Sequence, residues 1–318
     1  MSVHRAFLAA LIAIVLPVPA LAATEHDEIN FTGPLVTAAV DTLPVGMLNV
    51  EPYLIYTNAT GSYDNDGNRH AEQPSQRQWQ VALPITYGLT ENLSLQVTLN
   101  AVRNAVGGMH SDGMRMGDTS VRLQARVKAP AADGTGLVLA VSAQQRLRTG
   151  QYQQLDNNPL NGTGTGATQS TLAFGAQQLI WLPNSHALRW RAQVAWSPSP
   201  GHVSLRGVSV YSTPGGFEGY AGLGQAWSAS VAAEYVLTSR WVLVGEAIWN
   251  HSSSARINGT KGGQATYTLL PGQAFSLAPA VEYNFSPKVG LIAGVQFTVG
   301  GRNTLAYVAP QIALNMAF

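Results

Sequence analysis

The last segment of the chain constrains its fold most strongly. Leu305 to Phe318 reads LAYVAPQIALNMAF, in which apolar and polar positions alternate with a period of two. One face carries Val308, Pro310, Ile312, Leu314, Met316 and Phe318, and the other carries Tyr307, Gln311 and Asn315. Such alternation is typical of a β-strand with one apolar face. The strand is about twice the usual length, which favours a membrane wall over a soluble core.

The same alternation recurs along the chain in segments of similar length. We predict twelve strands, at about 46–58, 76–88, 93–104, 117–128, 137–149, 168–181, 187–198, 226–237, 240–251, 273–285, 288–299 and 305–318. Their connections alternate between tight turns and longer loops rich in Gly, Asn, Ser and Asp.

This cadence predicts an all-β fold: a transmembrane antiparallel up-and-down β-barrel of about 12 strands over residues 46–318. Short turns belong on the periplasmic side of such barrels and long loops outside. An even number of strands places both ends of the barrel in the periplasm. A β-sandwich also has alternating strands, but strands of this length would need a very large core.

The N-terminus predicts export. Residues 1–22 place Arg5 before an apolar run and end in Ala20-Leu21-Ala22, the pattern of a secretory signal peptide. With the barrel pattern, this predicts the outer membrane of a Gram-negative bacterium. Residues 23–45 are too polar at their start to lie in lipid, so we expect either a periplasmic tether or a plug inside the lumen.

Composition agrees with a barrel in lipid. Charged residues are only 11% of the chain, against about 25% in typical soluble domains, and cysteine is absent. The formal net charge is +1, which argues against nucleic acid as a partner. We expect a monomer whose partners are outer-membrane lipids, the barrel assembly machinery and a small-molecule solute.

Taking the apolar face of each strand as outward predicts which charged side chains line the lumen. The basic set is Arg122, Arg126, Lys128, Arg146, Arg148, Arg189 and Arg191. The acidic set is Glu51, Glu234, Glu246 and Glu282. We expect the two sets on roughly opposite walls, where they select polar or amphiphilic solutes. The alternative is that they pair with each other across a filled interior.

Aromatic residues at strand ends predict the two membrane interfaces. We assign the aromatic girdle to Trp79, Trp190, Trp196, Trp227, Trp241 and Trp249. Phe318 ends the chain, and a terminal Phe resembles the assembly signal of bacterial outer-membrane barrels.

Catalytic and metal sites are weakly indicated. His251 and Ser253 form an H-x-S arrangement that resembles outer-membrane phospholipase A, with Asn250 or Asn258 to orient the imidazole. A Ser-rich loop with an incidental His explains the same residues, so we predict no catalytic residue. The scattered histidines lack metal-ligand spacing, and we predict neither a metal nor a cofactor.

Residues 31–56, FTGPLVTAAVDTLPVGMLNVEPYLIY, resemble the start of the meta-pathway phenol-degradation (MetA-pathway) family of outer-membrane proteins. Residues 83–100 and 116–127 are similar to that family's turn after strand 2 and its entry into strand 4. The Asp-rich pair common in the family is absent at Ala38-Ala39. The resemblance implies a twelve-stranded barrel associated with passage of hydrophobic or aromatic compounds.

We therefore predict a channel or uptake pore for small molecules, hydrophobic or aromatic compounds included. One alternative is a structural or adhesive barrel that binds ligands through its external loops. A second is a barrel-embedded lipid hydrolase.

Overall fold

The computed structural model describes residues 29–260 and 264–318. The predicted signal peptide and the start of segment 23–45 lie outside the described residues. Within them the strands are β1 (Leu48–Val50), β2 (Tyr53–Tyr63), β3 (Arg69–Thr90), β4 (Leu93–Val106), β5 (Met109–His110), β6 (Arg115–Met116), β7 (Thr119–Lys128), β8 (Gly136–Leu147), β9 (Gln169–Trp181), β10 (Ala187–Ser197), β11 (Gly201–Arg206), β12 (Glu218–Leu223), β13 (Ala226–Val236), β14 (Trp241–Ser252), β15 (Ala255–Thr260), β16 (Gln264–Leu269), β17 (Gly272–Ser286), β18 (Val289–Arg302) and β19 (Thr304–Ala317).

Twelve long strands form a closed antiparallel barrel, as predicted. Their order is β2, β3, β4, β7, β8, β9, β10, β13, β14, β17, β18 and β19, and β19 closes the barrel on β2. The short β1 continues the first wall strand and pairs with both β3 and β19. Glu51 and Pro52 interrupt this wall strand, and proline has no N–H to donate to a neighbour.

The outward face of the barrel is apolar and exposed. Large side chains that the protein itself leaves uncovered include Leu54, Val81, Leu123, Val141, Phe174, Val194, Leu243, Leu277, Val308 and Ile312. A continuous apolar surface of this kind suits hydrocarbon, where closed pairing satisfies every backbone N–H and C=O group. Among the described residues no helix is long and apolar enough to cross a membrane.

The external loops contain a second sheet that the sequence did not lead us to expect. Its strand order is β11, β12, β15 and β16, which follows the order of barrel strands β10, β13, β14 and β17. Each external strand continues one barrel strand after a short break rich in Pro, Gly or Ser, such as 198–200 and 253–254. Proline and glycine at these positions end the ladder of the barrel wall.

This external sheet has its own apolar core. Val203, Leu205, Phe217, Ala221 and Ile257 are buried together. They do not belong to the lumen, because they come from the external strands and the loops that join them.

Tyrosines connect the core of the external sheet to the neighbouring loops. The hydroxyl of Tyr211 donates to the Thr165 carbonyl at 2.6 Å, and the hydroxyl of Tyr267 donates to the Tyr211 carbonyl. Burial raises the pKa of Tyr211 to about 12, so its phenol remains protonated and able to donate. The external strands and loop 148–168 therefore form one connected layer, which we call the external layer.

Replacing Phe217 by Ala should unfold the external layer and leave the barrel intact. Phe217 is 1% exposed, and deleting a buried Phe costs about 3–5 kcal/mol. Limited proteolysis should cut the variant within 199–225, while its unheated electrophoretic mobility stays that of a folded barrel. Tyr220→Ala is the matched control, because Tyr220 is 43% exposed on the same strand region. Equal protease resistance of both variants would contradict this assignment.

Candidate functional site

Residues 29–46, which we call the inner segment, run inside the barrel without forming a strand. Their hydrogen-bond partners are lumenal side chains of β4, β7, β14, β17 and β19, together with backbone groups at the end of β3. The hydroxyl of Thr42 reaches the Glu91 carbonyl in a tight turn at 2.8 Å. The inner segment therefore lies in the half of the lumen nearest the short turns.

Two lumenal glutamates hold the first part of the inner segment by its backbone. The carboxylate of Glu282 accepts from the N–H groups of Thr32 at 2.8 Å and Gly33 at 3.0 Å. The carboxylate of Glu246 accepts from Val36 at 3.1 Å and Thr37 at 2.7 Å. Both glutamates are almost fully buried, so these hydrogen bonds replace the water they would otherwise bind.

Two glycines allow this close approach. Gly33 has a φ of +111°, a conformation that other residues rarely adopt. On the wall, a Cβ at Gly290 would collide with the side chain of Thr32. The inner segment thus lies directly against the barrel backbone at this point.

The opposite wall binds the end of the inner segment. The amide of Gln124 donates to the carbonyls of Val40 and Asp41, each at 2.9 Å. Arg126 pairs with the Asp41 carboxylate at 2.8 Å, and Ser94 accepts from the Leu43 N–H at 2.9 Å. The inner segment therefore crosses the lumen from β14 and β17 to β4 and β7.

Apolar packing fills the space between these polar contacts. Leu35 is buried against a cluster that includes Val236, Val242, Val244 and Ile292. Val40 is buried against Val138 and Ala140 on the far wall. These valines and isoleucine lie on the lumenal face, where an open, water-filled pore would leave them wet.

Arg189, Arg191 and Glu234 form a buried ion cluster. Arg189 binds Glu234 through its Nε at 2.7 Å and its Nη2 at 2.5 Å, and Arg191 binds the same carboxylate at 3.0 Å. Arg189 also lies over the ring of Phe31 in the inner segment, 3.7 Å from its centroid. The expectation of opposite walls is therefore wrong for these three residues. They lie on β10 and β13, which are neighbouring strands, and Arg189 is directly opposite Glu234.

The other predicted lumenal residues divide into two groups. Arg122 and Arg146 follow the lumenal alternation, with Arg146 3.8 Å from Asp118, and Glu51 accepts from the Tyr53 hydroxyl at 3.0 Å. One prediction is wrong: a register shift after Arg126 places Lys128 opposite Leu139, outside the lumenal phase. Arg148 lies exposed just beyond the end of β8, and its place in the lumen stays a prediction.

The predicted girdle tryptophans lie on the outward-facing alternation of their strands. Trp79, Trp227 and Trp241 are exposed, and Trp190, Trp196 and Trp249 are partly exposed. Trp196 and Trp227 face each other across β10 and β13 with ring centroids 6.0 Å apart, near the external end. Phe318 exchanges backbone hydrogen bonds with Leu48 at the start of the wall. Their roles at the interface and in assembly stay predictions.

The described contacts do not assemble the H-x-S constellation. His251 is stacked on Trp249, and Asn258 lies in β15, where its side chain accepts from Thr266. The N–H of Ser253 donates to the Gln225 carbonyl at the break between barrel and external layer. No described hydrogen bond orients the imidazole as a triad would require.

Sequence reasoning missed Ser94 and Gln124, which bind the end of the inner segment, and Asp41, the residue of that segment that pairs with Arg126. Their polarity and phase placed Ser94 and Gln124 on the lumenal face, but nothing marked them as partners. One signal was available, since WVLVGEAIW at 241–249 is apolar on both faces at its start. This pattern indicates that the lumenal face of β14 is covered and does not line an open, water-filled space.

Comparison with solved structures supports the fold. A COG4313 outer-membrane channel from Pseudomonas putida F1 matches with a TM-score of 0.66 at 14% identity, covering 90% of this chain and 100% of that one. The transport unit of the autotransporter AIDA-I from Escherichia coli matches with a TM-score of 0.45 at 10% identity, covering 89% of this chain and 94% of that one. The translocator domain of the autotransporter NalP from Neisseria meningitidis matches with a TM-score of 0.42 at 13% identity, covering 88% of this chain and 91% of that one.

The match to the COG4313 channel shows that the chain has the fold of an outer-membrane β-barrel. No protein-family model matches the sequence, and no curated protein matches it. The MetA-pathway resemblance stays a prediction.

Replacing Glu234 by Gln should destabilise the barrel strongly. The substitution removes the carboxylate that both Arg189 and Arg191 contact, and breaking a buried ion pair from one side costs about 3–5 kcal/mol. Urea unfolding in detergent micelles measures the loss. Glu218→Gln serves as control, since Glu218 is exposed in the external layer. A stability equal to that of the control would show that the cluster is unimportant.

Proposed function

We propose that the protein is an outer-membrane channel for small molecules, held closed by its inner segment. The observation that carries this proposal is the backbone of residues 32–37 bound to Glu246 and Glu282. In this proposal Phe318 directs assembly, and the barrel works as a monomer in the lipid of the outer membrane.

The way the lumen is filled favours a channel over a purely structural barrel. A twelve-stranded barrel has a backbone diameter of about 24 Å, and its own side chains leave about 10 Å or less. Here a separate, extended segment occupies that space in one half of the lumen. Its backbone is held by side-chain acceptors and donors of the wall, which water or a solute can replace without breaking a strand pairing.

The lining beyond the inner segment favours solutes with a polar group. Amide side chains pair across the wall there, with Gln78 donating to Asn104 at 2.8 Å and Gln80 to Asn100 at 3.1 Å. The sequence resemblance supports hydrophobic or aromatic compounds. A small molecule with an apolar body and a polar group fits both the amide lining of the lumen and the sequence resemblance.

The external layer favours a second candidate, a barrel that binds ligands outside the membrane. Its own buried core gives a rigid support that a simple pore does not need. His202 and Tyr220 meet edge to face on it, with ring centroids 4.9 Å apart, and Arg256 is exposed nearby on β15. Deletion of the layer would abolish binding to cells or surfaces under this candidate and leave conductance unaffected.

Replacing both Glu246 and Glu282 by Ala should release the inner segment and open the channel. The four N–H groups would lose their acceptors, so the segment would exchange its wall contacts for water. In planar bilayers we expect discrete conductance steps that are several-fold larger, or more frequent, than those of the unchanged protein. Glu218→Ala is the control, because Glu218 lies in the external layer.

A second measurement verifies that the segment has moved. The chain has no cysteine, so Thr37→Cys introduces a unique thiol at a position that is 2% exposed. A water-soluble maleimide should label it only in the double variant. Val45→Cys, at 60% exposed, should label in both backgrounds. Release detected by labelling without any conductance would rule out the channel.

A further inference from the structure

Two lumenal glutamines flank one arginine that lacks a carboxylate partner. Gln96 on β4 and Gln144 on β8 are the direct cross-strand partners of Arg122 on β7. Opposed side chains on one face of a sheet have their Cβ atoms about 5 Å apart. Two carboxamides therefore flank the guanidinium on the lumenal face.

The other lumenal arginines each have an acid. Arg126 pairs with Asp41, Arg146 lies beside Asp118, and Arg189 and Arg191 share Glu234. Within the described ranges Arg122 has no ion pair, and its one hydrogen bond goes to the neutral oxygen of Gln124. A guanidinium has five N–H donors, so most of its capacity is unused.

The arginine lies immediately beside the closed part of the lumen. Ser94 and Gln124, one cross-strand row nearer the short turns, bind the inner segment. Arg122 is the next lumenal residue of β7 toward the outside. No described contact joins Gln96, Arg122 or Gln144 to the inner segment.

We propose that Arg122, with Gln96 and Gln144, forms a binding site for the carboxylate of a small organic acid. A planar guanidinium matches the two oxygens of a carboxylate, and the flanking amides supply further donors at either side. Gln96 already donates to Thr86 at 3.0 Å, which orients its amide. This inference rests on the proposed channel, because the solute must enter the lumen, and it names the class of solute.

Binding of benzoate to the folded full-length chain in detergent micelles tests the site directly. We expect Arg122→Gln to weaken benzoate binding at least tenfold, because the variant loses the charged, planar donor that matches a carboxylate. Arg103→Gln should bind as the unchanged protein does, because Arg103 is exposed in the outward phase of β4. Benzyl alcohol, which lacks the charge, should bind weakly and respond to neither substitution.

Unheated electrophoretic mobility establishes that each variant is folded. If Arg122→Gln does not fold, Arg122→Lys keeps the charge without the planar fork and should weaken binding several-fold. Three results would overturn the proposal. They are a failure of benzoate to bind, equal binding of benzoate by the Arg122→Gln and Arg103→Gln variants, and displacement of benzoate by inorganic phosphate at equal concentration. The benzoate-binding measurement uses no membrane. A failure of benzoate to bind can therefore be distinguished from an absence of conductance, which would contradict the proposed channel.

Discussion

Closure of the wall is the constraint on which the rest of the structure depends. Hydrocarbon offers no hydrogen bonds, so every backbone N–H and C=O group at that depth must pair within the protein. The chain meets this requirement by closing β19 on β2 between Thr304 and Ala313, and on β1 at Met316 and Ala317. Once the wall is closed, every second residue of every strand must face an enclosed space.

That enclosed space explains the unusual chemistry of the interior. Glu234, Glu246 and Glu282 are buried carboxyl groups, which are tolerated only with hydrogen-bonding or charged partners. Two arginines serve Glu234, whereas backbone N–H groups of the inner segment serve the other two. The segment and the carboxylates therefore depend on each other. Arg122 departs from this pattern, because no acid of the described chain faces it.

The sequence predicted the barrel well and the site only in part. A period of two over twelve long segments specifies strands and their phase, so the strand count, the outward faces and most lumenal residues followed. Pairing between particular side chains did not follow. Arg189 and Glu234 were assigned to opposite walls although their strands are neighbours. Lys128 was assigned to the lumen because a β-bulge, which shifts the phase by one residue, leaves no mark in an alternating pattern.

The sequence by itself determined that this chain is a barrel, which of its faces meets lipid and which polar residues point inward, since all three depend on alternation along one strand. Only the tertiary structure decided that residues 29–46 turn back into the lumen, and which carboxylates bind them. It also decided that four wall strands continue as an external sheet. Those outcomes depend on contacts between residues far apart in the chain, such as Thr32 and Glu282, which are 250 positions apart. No local sequence pattern encodes such contacts.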